Sequence, residues 1–218
     1  MAIKIMEGKK MAKKADVQTI DIPNLTVTKP ALYEVEIRGL DGILFNKMPD
    51  LSQPKENAPD QGKITPLEKE QFTWREKAYT EDGTVYCPGE NIHECMKEAS
   101  KYWGQRIPGE GKKTYTDVIA KAVIVENMYF GVSSEQLIPF GKAVNGNPSR
   151  GKKSGAKVYK IRPLLRPWAG KFLIHVFDGR LTVEVLRVIL TYAGTFIGLC
   201  DWRPIFGRFE LVNIRRVE

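Results

Sequence analysis

The chain has 218 residues, with 34 Lys and Arg against 26 Asp and Glu and a formal net charge of +8. That length suits one domain with an insertion, or two small ones, and is enough to bury a core. The charge favours anionic partners, nucleic acid first and an acidic membrane surface second; a merely basic soluble protein is the plain alternative.

Cys87, Cys95 and Cys200 form no Cys-x-x-Cys pattern, so neither a disulfide scaffold nor a zinc site is implied. No apolar run approaches the roughly 20 residues that span a bilayer. The N-terminal lysines are followed by no apolar stretch of the signal-peptide kind. A cytoplasmic protein without a membrane anchor is expected.

Residues 1–28 open with Lys4, Lys9, Lys10, Lys13 and Lys14 and read as a basic N-terminal arm, either contacting another subunit or without function. Residues 32–38 alternate strictly in polarity and predict a strand. A turn and a short apolar run follow, with Asn46 and Lys47 at its edge. Prolines mark residues 49–65 as loop. Thr65, Pro66 and Glu68 open a polar helix with a capping box, running past Trp74 towards Tyr79. A short strand at 84–87 leads through Pro88-Gly89-Glu90-Asn91 into a second helix, whose face is Ile92, Cys95, Met96, Ala99 and Tyr102. Gly104 ends it.

Residues 105–116 are glycine-rich and basic, residues 120–130 predict a strand, and 137–140 a short extended piece. Between residues 142 and 171 lie Lys142, Arg150, Lys152, Lys153, Lys157, Lys160, Arg162, Arg166 and Lys171, with no acidic residue. Within that stretch 157–164 alternates and predicts a strand, which 166–170 connects to an antiparallel neighbour at 172–177. Thr182 caps a helix to residue 197, with Leu181 and Leu186 as a hydrophobic staple. A loop rich in Gly, Arg and aromatics, 198–207, precedes a last strand at 208–214.

Catalytic patterns are scarce. His93 and His175 are the only histidines and suit structural roles. Residues 109–114 fail as a phosphate loop, because Arg106 stands where glycine is needed and Lys113 where Ser or Thr is needed. Asp41 or Asp50 could hold magnesium, but loop carboxylates more often bond locally. No catalytic residue, metal ligand or cofactor is therefore assigned.

Phosphate binding is better supplied. The acid-free stretch would neutralise several phosphates. Tyr159, Trp168, Trp202 and Phe206 lie near basic residues and could stack bases of a single strand, or else pack inward. Gly198 and Gly207 would let backbone approach phosphates, with Arg203 and Arg208 as forked donors. The alternative for the two arginines is a salt bridge to Asp201 or Glu210.

Residues 32–38, the run Tyr86-Cys87-Pro88-Gly89-Glu90-Asn91-Ile92, and the ending from Ile197 through Asp201-Trp202-Arg203-Pro204 to Phe206-Gly207-Arg208-Phe209-Glu210 resemble the RAMP superfamily. These are ferredoxin-like, RRM-related proteins that include backbone subunits of multi-subunit CRISPR effector complexes. The ending also looks like that of a group of phage and prophage proteins. The likeness spans residues 31–215 loosely, and the glycine run is shorter than in the CRISPR backbones, with no clear acidic cleavage residue.

The resemblance implies an α+β, ferredoxin-like β-α-β-β-α-β core with a large basic insertion. Its elements would be strand 32–38, helix 90–103, strand 157–164, strand 171–177, helix 182–197 and strand 208–214. Residues 29–218 would be the RAMP-like domain, with insertions at about 42–84 and 105–156. The expected function is non-catalytic binding of single-stranded nucleic acid, RNA before DNA, with assembly along the strand or with other subunits in a host cytoplasm. Contacts would come from Asn46, Lys47, Asn91, the basic finger, Trp168 and the 198–208 loop. A metal-dependent ribonuclease of the same fold and a phage protein-interaction module are the rival readings.

Overall fold

The structure, a computed structural model, describes residues 29–48, 65–145 and 157–217. The N-terminal arm, Asp50, Arg150, Lys152 and Lys153 lie outside the described residues.

Strict alternation builds β1 (Ala31–Gly39), which buries Tyr33, Val35 and Ile37 and turns Glu34, Glu36 and Arg38 the other way. β2 (Ile43–Leu44) follows a turn. α1 (Pro66–Thr73) begins at the Thr65/Glu68 capping box with Pro66 in its first turn, as its sequence predicts. It ends at Thr73, and the 3-10 turn Arg75–Lys77 carries the chain on. β3 (Thr80–Glu81) and β4 (Thr84–Cys87) form a hairpin. α2 (Gly89–Trp103) buries Ile92, Cys95, Met96 and Ala99 along one stripe and stops at Gly104, while Tyr102, expected on that face, is exposed.

α3 (Tyr115–Ala122) starts at the end of the stretch read as glycine-rich loop and finishes inside the predicted 120–130 strand; Thr114 and Asp117 form its capping box. It runs straight into β5 (Val123–Val125), and β6 (Met128–Ser133) follows. The predicted strand at 120–130 is therefore a helix end and two separate strands. β7 (Ile138–Asn145) is longer than its predicted piece. β8 (Lys157–Leu165), β9 (Ala169–Val176), α4 (Val183–Tyr192) and β10 (Phe209–Arg216) complete the order. Thr182 caps α4 as expected, and the predicted single helix divides into α4 and a π-helical turn, Ala193–Ile197.

The main sheet has the order β10-β1-β9-β5, every neighbour antiparallel. α2 connects β1 towards β5 in sequence, and α4 connects β9 to β10, so two strand–helix–strand units interleave. The helices pack on each other, and Ile92, Met96, Leu186, Ile189 and Leu190 meet Val35, Ile37, Ile174 and Phe209 in one core. Two further antiparallel sheets, β2-β8-β7 and β3-β4-β6, stand beside it.

One assignment is corrected. The second strand of the main sheet is β5, and 157–164 belongs to β8 in the β2-β8-β7 sheet. β8 and β9 are not paired neighbours; the chain between them dips inward at Trp168 and changes sheets. Proximity in sequence favours a hairpin, but burying Trp168 takes the chain elsewhere.

Candidate nucleic-acid interface

Residues facing each other across an antiparallel ladder project to the same side. In the β7–β8 hairpin Phe140 faces Arg162 and Lys142 faces Lys160, so one aromatic ring and three cations share one surface. The 198–208 loop brings Trp202 onto it. The Trp202 ring meets Phe140 edge-on at 5.7 Å, and Phe206 lies 5.0 Å from Phe140 and 6.4 Å from Trp202. The Lys142 ammonium stands 5.7 Å from the Trp202 centroid and the Arg162 guanidinium 5.9 Å from it. A half-buried indole is thus flanked by two cations, an arrangement that holds a ring still and places charge beside it.

The cations differ in availability. Arg162 is 11% exposed in its side chain and bonded to Asp201 at 2.7 Å. Lys160 reaches Glu70 at 3.3 Å. Glu70, on α1, also accepts from Lys77 and from the Ile161 N–H at 2.8 Å. Burial raises the Glu70 pKa, but the Lys77 and Ile161 hydrogen bonds with the Lys77 and Lys160 charges outweigh it, and the carboxyl sits below its ordinary range. Burial holds the Lys77 ammonium below its own, against the pull of Glu70. Lys160 and Arg162 therefore knit β8 to α1 and to the loop. Lys142, Lys157 and Arg166 stand exposed, as does Tyr159, which faces Ala143 on the other side of the ladder from Lys142.

The 198–208 loop is closed on itself. Leu199 N–H donates to the Gly207 carbonyl at 2.9 Å, Phe206 to Trp202 at 3.2 Å, and Gly198 to Ala193 at 2.8 Å. Asp201 donates to Leu44, Gly207 to Gly42, both at 2.9 Å, and Arg208 to the Asp41 carboxylate at 3.1 Å. Those donors are spent on the loop's own closure and on the turn and strand at 41–44. Gly207 has φ +78°, and an added Cβ would lie 2.0 Å from the Leu199 carbonyl oxygen; one at Gly198 would lie 2.8 Å from that of Phe206. Both glycines serve the loop's own closure. Gly207→Ala is expected to cost more than about 1 kcal/mol, measured by urea unfolding, since it adds left-handed strain to a backbone collision.

Arg203 pairs with Glu98 of α2 at 3.2 Å, a partner sequence reasoning did not propose. Arg208 donates through Nε to the Pro204 carbonyl at 2.8 Å. Asp201 and Glu210, the proposed partners of these arginines, instead pair with Arg162 and Arg38. Cys200 and Trp202 themselves have φ of +62° and +52°, so the backbone is strained where the indole is presented.

Trp168 is corrected outright. It is 5% exposed, its indole N–H donates to the Asp41 carbonyl at 2.8 Å, and its ring meets Phe130 edge-on. It packs the core and stacks no base. Asn46 is exposed after β2; Lys47 is half-buried, its N–H bonded to the Lys77 carbonyl. Asn91 is turned to the Cys200 sulfur.

The outward side of the main sheet is ion-paired, Glu36 with Lys171 at 3.2 Å, Glu34 with Arg215 at 2.9 Å, and Arg38 with Glu210, and His175 is hydrogen-bonded to Glu126 at 2.6 Å. No Phe, Tyr or Trp stands among the outward residues of β1, β9 and β10. An RRM stacks bases on aromatics of that face; here such rings lie at the second sheet. Phe140, Glu70 and the pairing of Asp201 with Arg162 were not foreseen. Among the described residues no group of three His, Cys, Asp or Glu is placed to hold a metal ion, and no helix is long and apolar enough to cross a membrane.

No family model matches the chain, and no curated protein does. Among solved structures it is similar to a chain of the type III-B Cmr-beta complex bound to cognate target RNA, at 14% identity and a TM-score of 0.47. That match covers 87% of this chain and 61% of the other. It is also similar to Cmr6 from Pyrococcus furiosus, at 12% identity and a TM-score of 0.43, covering 84% of this chain and 98% of that one.

Proposed function

We propose that the protein is a non-catalytic binder of single-stranded nucleic acid, RNA before DNA, built on a ferredoxin-like β-α-β-β-α-β domain of RAMP type. The observation that carries the reading is the Trp202 ring beside Lys142, with Phe140 and Phe206 around it. A base laid on the indole would bring its phosphate to the exposed Lys142 ammonium. Stacking tolerates any base, so affinity should depend on salt and little on sequence. The sequence likeness of the ending to RAMP proteins supports the same reading, as does the net charge of +8. Assembly along a strand or with other subunits belongs to it.

Fluorescence anisotropy with labelled single-stranded RNA, single-stranded DNA and duplex, each at several salt concentrations, tests it. Trp202→Ala should lose about 1 to 3 kcal/mol of single-strand affinity. Lys142→Ala should weaken binding of every sequence alike and lower the salt slope by about one. Duplex bound as well as single strands, or parental affinity in both variants, would overturn this site.

A further inference from the structure

Cys87 ends β4 immediately before α2, and Cys200 stands in the loop that presents Trp202. They are 113 positions apart in sequence, yet their sulfurs lie 3.6 Å from each other. Cys87 is fully buried and Cys200 half-buried, so one member of the pair meets solvent. The third cysteine does not compete, because the Cys95 thiol points to the Gly198 carbonyl at 3.2 Å. The Asn91 side-chain amide donates to the Cys200 sulfur at 3.8 Å and holds it towards the start of α2. A disulfide needs its sulfurs about 2.05 Å apart, a closure of about 1.5 Å that falls to a loop residue rather than to two paired strands.

We propose that Cys87 and Cys200 form a redox-modifiable dithiol, converted by hydrogen peroxide or a similar two-electron thiol oxidant into an intramolecular disulfide that ties the Trp202 loop to the β4–α2 junction. In the first step peroxide oxidises the sulfur of Cys200, the less buried residue of the two, to a sulfenic acid, and one peroxide oxygen leaves as water. In the second the Cys87 sulfur gives up its proton, attacks the sulfenic sulfur and expels the other oxygen as water. Two thiols and one peroxide yield one disulfide and two waters. The hydrogen bond with Cys200, and then burial, push the Cys87 thiol well up. The second step uses the Cys87 thiolate, so it quickens as pH rises. The dithiol does not depend on the nucleic-acid reading.

The folded full-length chain is treated with hydrogen peroxide, quenched, denatured and assayed for thiols, then mapped by mass spectrometry. The thiol count should fall from the three in the sequence to one, with the peptides of Cys87 and Cys200 joined within one chain and released by dithiothreitol. The unfolding midpoint should rise, because the cross-link closes a long chain loop. Cys95→Ser should cross-link as the parent does, and Cys200→Ser should keep both remaining thiols. Cys87→Ser disturbs a fully buried position, so the mapping of the unmutated chain decides. Three thiols surviving conditions that oxidise free cysteine, a link through Cys95, a link between two chains, or overoxidation of Cys200 without a link would each overturn the proposal.

Discussion

Trp168→Ala should lower the unfolding free energy by about 3 to 5 kcal/mol while leaving single-strand affinity at the parental value. The residue follows Arg166 and Pro167, a basic setting that suggests a solvent-facing ring. Its indole nevertheless fills the gap between sheets: the N–H bonds to Asp41, and the ring touches Phe130 and Phe209. It also presses on Gly39, where a Cβ would lie 2.3 Å from the indole nitrogen. Removing it leaves a large cavity and an orphaned carbonyl. Urea unfolding and anisotropy on the same preparation separate the roles. A variant of parental stability with weakened binding would return Trp168 to the interface.

The second large effect is expected at Glu70. Glu70→Gln should cost about 2 to 3 kcal/mol at neutral pH, because Lys77 and Lys160 keep their charges and lose their counter-charge. The pH dependence has a definite direction. The folded-state Glu70 pKa lies below its ordinary value, so its stabilisation is complete above that value and disappears as pH falls through the folded one. The stability gap between parent and Glu70→Gln should therefore be widest near pH 7 and close below the ordinary glutamate range. Melts across pH 3 to 8 read this directly. A gap constant with pH would mean that Glu70 acts through packing and not through its charge.

Local rules carried the reading where the signal is local. The Thr65/Glu68 box, the Thr182 cap and the stripe through Ile92, Met96 and Ala99 each act within one or two turns, and each stands where the sequence places it. β5 escaped for a physical reason. Val123–Val125 is three residues long and sits inside an apolar run shared with a helix end and β6, so no period separates them. Lys160 and Arg162 sit in an acid-free stretch of sequence, but Glu70 and Asp201 reach them from 90 and 39 positions away. Charge density along a chain does not reveal neutralisation across space. Trp202 kept its place beside cations, whereas Trp168, in equally basic company, did not. The difference is the dip between β8 and β9, set by tertiary packing alone.

The side-chain pairs that join β1 to β10 link residues 172 and 181 positions apart, Arg38 with Glu210 and Glu34 with Arg215. On a ribosome adding about 5 to 20 residues per second, β1 emerges and then waits on the order of ten seconds for its first neighbour, β9. During that wait Val35 and Ile37, wholly covered in the finished protein, face water on a strand with two open edges. Glu34, Glu36 and Arg38 alternate with them and act as gatekeepers, making a foreign strand bring its own apolar face past charges. Replacing those three with threonine would leave the folded sheet nearly as stable, since exposed ion pairs are worth little. The cost would fall on the nascent chain, as inclusion bodies instead of soluble yield.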